Sequence, residues 1–215
     1  MRITKFGHAC VRISEGDHTL LVDPGIFAGP EVAEGVDAVL ITHEHADHYS
    51  PDLVKAIDAP VFTIAAVAAK IATEAPEVAE MTTTVVPGER FTAAGFDVRA
   101  VNQKHAIIHA ELPHFDNSGY LIEAGGMRVF HPGDALDGVG GEPAGALDVL
   151  FLPVSAPWAA SRELIDFARR VGARTNIAIH DRVYSPAGSA TFDQHAAALL
   201  PAELGYRRLA DGEDL

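Results

Sequence analysis

Apolar and polar residues along the chain follow two periods. Near the start, Val11 and Ile13 alternate with Arg12 and Ser14, the period of a half-buried strand. Gly16-Asp17 marks a turn, and HTLLVDP reads as the returning strand. DAVLIT, from Asp37 to Thr42, is a short and almost continuous apolar run, as expected for a strand covered on both faces. Ser50-Pro51-Asp52 then predicts a helix through Ile57, with Ser50 as cap and Pro51 at the first helical position. APVFTI predicts a strand, and the alanine-rich segment from Ala65 to Thr73 a helix. Pro87-Gly88 and Ala94-Gly95 are turns around short strands that include FDVRAV. The stretch QKHAIIHAELPHFDNSG keeps no period and predicts a long functional loop. GYLIEA and MRVFHP form a hairpin around Gly125-Gly126.

The last third alternates strand and helix. LDVLFLP is a buried strand. Ser161 is placed to cap a helix in which Leu164, Ile165, Ala168 and Val171 follow the 3.6 period and Gly172 ends it. RTNIAIH is the next strand. Phe192, His195 and Leu199 share one face of a final helix stopped by Pro201. Strands first, then strand–helix units, suggest two mixed β-sheets with helices outside. No repeat or linker interrupts residues 1–215, so one α/β domain is expected.

Composition narrows the class. Hydrophobic residues make up 48% and charged residues 21%, as in ordinary soluble proteins. No run is long enough to span a bilayer, and the start lacks a signal-peptide core. The lone cysteine, Cys10, leaves no internal disulfide, which fits a cytoplasmic protein. A net charge of −14, from 16 basic and 30 acidic residues, argues against nucleic-acid and anionic-membrane partners. A small-molecule substrate is expected, with homo-oligomers left open.

THEHADHY follows the strand at 37–42 directly. His43, His45, Asp47 and His48 are donors that zinc, manganese or iron accept. Alternate residues of an extended loop point the same way, so His43 and His45 face one ion, and Asp47 and His48 a second. His105, Asp134 and His180 follow predicted strands and supply the rest. The sum is His43, His45 and His105 at one divalent ion, Asp47, His48 and His180 at the other, and Asp134 between them. His109 lies four residues beyond His105 and is its rival.

The motifs GHA, VDP, HEHADHYS, HPGD, DVLFLPV and IAIHD resemble the metallo-β-lactamase superfamily over most of the chain. They look most like the branch containing L-ascorbate-6-phosphate lactonase and related metal-dependent hydrolases. The resemblance implies an αββα sandwich with two metals at one edge, preferably Zn2+, with Mn2+ or Fe2+ as alternatives. It also implies hydrolysis of an ester-like bond, such as a lactone, in which Asp47 and Asp134 take part. Three departures separate the chain from other branches. QKHAII replaces the Gly-His-Thr-Pro-Gly sequence, no glycine follows three places after His48, and His45 stands where flavodiiron proteins have Glu. A phosphodiesterase and a non-catalytic metal or ligand sensor are the competing readings.

Other residues belong around the ions. Asp23 is placed to orient a ligand histidine, or else is a turn residue before Pro24-Gly25. His8 is expected near the site, and His131 behind it or in packing. His109 and His114 are candidates for substrate contact. Lys104 and Arg182 flank two proposed ligands and would suit an anionic substrate group. Trp158 walls a pocket or packs in the core, and His18 and His195 are surface residues.

Overall fold

The computed structural model describes residues 1–137, 139 and 146–215. Its first sheet contains β1 (Arg2–Lys5), β2 (Val11–Glu15), β3 (His18–Val22), β4 (Ala38–Ile41), β5 (Val61–Thr63), β6 (Thr82–Thr84) and β14 (Glu213–Asp214). Their order is β14-β1-β2-β3-β4-β5-β6. The second sheet contains β7 (Arg90–Ala93), β8 (Phe96–Val101), β9 (Gly119–Ala124), β10 (Met127–His131), β11 (Val149–Pro153), β12 (Thr175–Ile179) and β13 (Gly205–Arg207). Their order is β13-β12-β11-β10-β9-β8-β7. Both sheets are mixed. Each begins as an antiparallel meander and continues with parallel strands, so the halves share a layout that no sequence repeat announces.

Three apolar layers explain the stacking. Leu20, Val22 and Leu40 of the first sheet meet Ile122, Phe151 and Ile177 of the second in the central core. Their neighbours in sequence point the other way, as a period of two requires. Leu21, Val39 and Ile41 pack under α1 (Pro51–Ala56) and α2 (Ala65–Glu74). Leu150, Leu152 and Ala178 pack under α3 (Ser161–Val171) and α4 (Pro186–Leu199). This is the αββα sandwich. The continuous apolar runs in β4, β11 and β12 exist because each strand serves two layers at once.

The caps and faces differ in detail from the sequence reading. Ser50 caps α1 by accepting from Leu53 N–H at 3.4 Å, as expected. Ser161 does not cap α3 but is its first helical residue. Ala160 is the cap, and its N–H donates to the Glu163 carboxylate at 2.7 Å. Gly172 closes that helix with φ 67°. On α4 the buried face is Phe192 and Ala196, four apart, whereas His195 and Leu199 are exposed. The 3-10 helix Pro76–Met81 and the polar strands β6, β13 and β14 carry no apolar period to announce them.

The sheets are tied together along one edge. His180 N–H donates to His8 C=O at 3.1 Å, and Ser118 N–H to Thr42 C=O at 2.9 Å. The buried Tyr120 hydroxyl donates to Ile41 C=O at 2.9 Å. No helix among the described residues is long and apolar enough to cross a membrane.

Candidate metal centre

That edge is where β1, β3, β4, β8, β10 and β12 all end. Their carboxyl ends deliver His8, Asp23, the loop Thr42 to His48, His105, Asp134 and His180. Open α/β sheets place their sites at this edge. The histidine loop turns tightly, with His48 N–H and Tyr49 N–H both donating to His45 C=O at 3.0 and 2.9 Å. Gly25 passes so close beneath it that a Cβ there would lie 1.9 Å from Asp47 C=O. Three non-glycine residues here, His8, Asp23 and His180, hold positive φ of 63°, 51° and 56°. Such torsions cost of order 1 kcal/mol each and persist where surrounding contacts impose them.

Two groups of metal-type donors converge. His43, His45, His105 and Asp134 form one, and His8, Asp47, His48 and His180 the other; within each group one donor atom per residue lies within 4.8 Å of all the others. Asp134 joins them. Its Oδ2 lies 3.1 Å from His105 Nε2 and 3.2 Å from His180 Nε2, and its Oδ1 lies 3.2 Å from His48 Nε2. It is buried and is the carboxylate that reaches both groups.

The hydrogen bonds behind the rings decide which nitrogen faces inward. Asp23 is fully buried and accepts from Thr42 N–H at 2.8 Å, the Thr42 hydroxyl at 2.8 Å and His48 Nδ1–H at 2.7 Å. The Thr42 hydroxyl, having donated, accepts from His43 Nδ1–H at 3.0 Å. His105 Nδ1–H donates to Ala106 C=O and His180 Nδ1–H to Ser155 C=O, both at 2.5 Å. Four rings therefore carry their proton outward and turn Nε2 into the centre. Nε2 of His48, His105 and His180 and Oδ1 of Asp134 are buried without a hydrogen-bond partner. His43 Nε2 faces His45 Nδ1 at 3.0 Å. Buried lone pairs without donors are costly; converging on common points, they are what divalent cations satisfy, so the residues fit two ions.

The charge balance agrees. Burial disfavours charge on Asp134, yet the nearby His180 and His48 hold it well below the usual carboxylate range. Burial would also lower His180 and His48, but Asp134 overrides it. His180 rises to about 9, helped by Asp47, and His48 well above its ordinary value, helped by Asp23. Burial lowers His43 and His45. Asp47 is lowered despite its own burial, through the nearby His180, whose Nε2 lies 3.4 Å from its Oδ2, and the bond from His8. The carboxylates thus demand positive charge in the centre, which protonated imidazoles supply when no cation is bound.

His8 plays a different part from the other rings of its group. Its Nδ1 accepts from Arg182 N–H at 3.2 Å, so its proton sits on Nε2 and points at Asp47 Oδ2, 3.0 Å away. Burial depresses it to about 4, leaving it neutral. His131 has no free nitrogen, since Nε2–H donates to Ala9 C=O and Nδ1 accepts from Gly133 N–H. His109 is exposed, accepts from Glu111 N–H and lies outside both groups, so His105 is the ring brought in. His114 Nε2 donates to His105 C=O at 2.8 Å. Lys104 is paired with Asp116 at 2.5 Å and Arg182 with Asp211. His18 and His195 are exposed. Trp158 is half-buried, its ring 5.4 Å from His105 and 5.9 Å from His180.

Four contributors escaped the sequence reading. Thr42 orients His43, Ser155 orients His180, and Phe115 lies 4.7 Å from the His45 ring. Asn117 Oδ1 accepts Asp134 N–H at 3.1 Å, and its amide donates to Pro132 C=O. Only Thr42 carried a signal, its place at the head of the histidine run. A carbonyl contact and a buried loop amide leave none.

A family model described as the beta-lactamase superfamily domain matches residues 2–180. The chain belongs to the metallo-β-lactamase superfamily. It is 36% identical over 193 residues to protein Rv0786c of Mycobacterium tuberculosis, with 86% of each chain covered. It is 32% identical over 199 residues to a UPF0173 protein of Pyrococcus furiosus, with 89% of each covered. A Geobacillus thermodenitrificans relative named UPF0173 metal-dependent hydrolase is 28% identical over 237 residues, covering 100% of this chain and 99% of its own. Among solved structures, the metallo hydrolase Igni18 of Ignicoccus hospitalis superposes with a TM-score of 0.75 at 18% identity, covering 100% of this chain and 97% of its own. That likeness speaks for the fold. Metal-dependent hydrolases are thus named among its relatives.

Proposed function

We propose that the protein hydrolyses an ester-like bond, with a lactone as the leading substrate type, using two divalent cations. His43, His45 and His105 would hold one, Asp47, His48 and His180 the other, with Asp134 shared. The observation that carries this reading is the reach of Asp134, whose oxygens approach rings of both groups within 3.1–3.2 Å. Imidazole and carboxylate donors suit zinc first and also manganese or iron. When bound, such ions supply Lewis acidity, which polarises the electrophile's oxygen and makes hydrolytic water reactive near neutral pH.

The chain's own residues do the rest. His45 and Asp47 are the only partly exposed members of the two groups, so substrate and water enter on their side. Asp47 is held far below the usual carboxylate range, which makes it a poor base. It orients water by accepting a hydrogen bond, while His8 Nε2–H fixes its Oδ2. Asp134 keeps the two groups at a set spacing.

The lactone preference rests on the motif resemblance to the lactonase branch. The test is metal analysis of purified protein, then turnover of lactone, aryl ester and phosphodiester panels with zinc, manganese or iron. About two ions per chain and ester or lactone turnover, both reduced in His45→Ala, are expected. Turnover of phosphodiesters alone would replace the substrate reading, and two ions without any turnover would make the protein a metal-holding sensor.

A further inference from the structure

The loops that carry the centre also carry most of the exposed large hydrophobic residues among the described residues. Eight large hydrophobic residues are exposed among the described residues, and five of them stand on these loops. Ile26 (59% exposed) and Phe27 (41%) follow Asp23. The Ile26 N–H donates to Ala46 C=O at 2.9 Å, which sets it beside the open His45–Asp47 side. The Phe27 ring lies 5.0 Å from His8. Ile107 (66%) and Leu112 (50%) belong to the loop of His105, and Ala106 N–H is bonded to Asp134 C=O at 2.7 Å. Val183 (47%) follows His180 by three residues. Phe115 and Trp158, half-buried against His45 and His105, continue this apolar lining to the donors themselves.

Charge at the same rim points the same way. An anionic substituent seated on this rim, away from the ions the centre would hold, needs an unspent side-chain cation; Lys70 is held by Glu44 C=O at 3.1 Å and the Tyr49 ring. Lys104 is held by Asp116, and Arg182 by Asp211, each at ion-pair distance. The net charge of −14 adds a repulsive background for anions. Apolar residues exposed in a cluster around a functional site mark a binding surface, whereas scattered ones would need no explanation.

We propose that the substrate is uncharged and carries an apolar acyl or aryl group, which seats on the rim formed by Ile26, Phe27, Ile107, Leu112 and Val183 while its ester-like bond reaches the centre. This rests on the hydrolytic reading above and names the substrate class for it. The anionic group considered from Lys104 and Arg182 is thereby set aside.

The test uses zinc-loaded protein and p-nitrophenyl esters from acetate to octanoate, with a monosuccinate ester as the charged control. Burial of a methylene is worth ~0.8 kcal/mol, or roughly fourfold, when complete. Partial burial on an open rim should therefore raise kcat/KM roughly two- to fourfold per methylene. Ile107→Ser and Leu112→Ser, at exposed positions that leave folding intact by circular dichroism, should shrink the octanoate-to-acetate ratio. A flat chain-length series, or preference for the monosuccinate, overturns the proposal while leaving hydrolysis standing. So does a dimer by sedimentation that Ile107→Ser dissociates, because the rim would then be covered by a second copy. If no ester is turned over, Trp158, the single tryptophan, reports binding by fluorescence. A response to octanamide but not acetamide would support the rim although the hydrolytic reading failed, and no response to either would overturn both.

Discussion

Asp23→Asn isolates what the carboxylate behind His48 does. Asp23 Oδ1 accepts Thr42 N–H, and Oδ2 accepts both the Thr42 hydroxyl and His48 Nδ1–H, at 2.7–2.8 Å throughout and with no solvent access. An asparagine of the same shape has one acceptor oxygen and one NH2. With the oxygen at the Oδ2 position, the NH2 opposes Thr42 N–H, and a buried donor without an acceptor costs about 1–3 kcal/mol. For a chain of this size, 1 kcal/mol corresponds to roughly 2–4 °C in Tm. With the amide turned over, Thr42 N–H is satisfied, but the NH2 now meets His48 Nδ1. His48 must then move its proton to Nε2, which removes the lone pair aimed at the centre. Loss of such a supporting partner lowers metal affinity roughly 10–100-fold. One of the two readouts has to move. The assay is a thermal melt of metal-free protein together with chelator competition for zinc. A variant with wild-type Tm and two ions held at wild-type affinity would refute the hydrogen-bond reasoning.

Three further outcomes are expected. His8→Ala should weaken one ion roughly 10–100-fold and leave the other unchanged in chelator competition; outright loss of an ion would make His8 a ligand rather than the support of Asp47. Gly25→Ala places a Cβ 1.9 Å from Asp47 C=O, so the histidine loop must shift; a cost of about 1–3 kcal/mol and lower metal content by elemental analysis are expected. The Asp193 carboxyl, pushed up by burial but pulled lower overall by bonds from Arg208 and Tyr206, has a depressed folded pKa. Its contribution is present above the unfolded value of about 3.9 and lost as pH falls through the folded value. The Tm gap between wild type and Asp193→Asn should hold at neutral pH and close below about pH 4.

Much of this architecture was legible because burial on two faces leaves a readable record. DAVLIT, LDVLFLP and RTNIAIH are apolar at nearly every position, and each proved to separate the central core from an outer helix layer. The donors were legible for a related reason. His43, His105, Asp134 and His180 sit one to four residues past strand ends, and His43, His45, Asp47 and His48 are too dense a run for an ordinary turn. The illegible parts are those in which polar groups meet backbone. Ser155 and Ala106 orient ligand rings through carbonyl oxygens, which every residue type possesses. Strands β6, β13 and β14 are recruited at sheet edges by pairing, with polar residues that carry no apolar period. On α4, the three- and four-residue spacing of Phe192, His195 and Leu199 suggested one face, but the residues that pack inward are Phe192 and Ala196.

The donors stretch from position 43 to position 180 and come from the ends of strands in both sheets. An ion lodged among them is therefore a rivet through the sandwich, and a fragment holding only one sheet has half the teeth of the clasp. Occupancy then becomes a gauge of global folding. Because the unfolded chain offers no such convergence, free metal should raise the melting temperature with concentration, by RT ln(1 + [M]/Kd) for each ion in free-energy terms. A cell's supply of divalent metal would thereby govern how long the protein survives as well as whether it works.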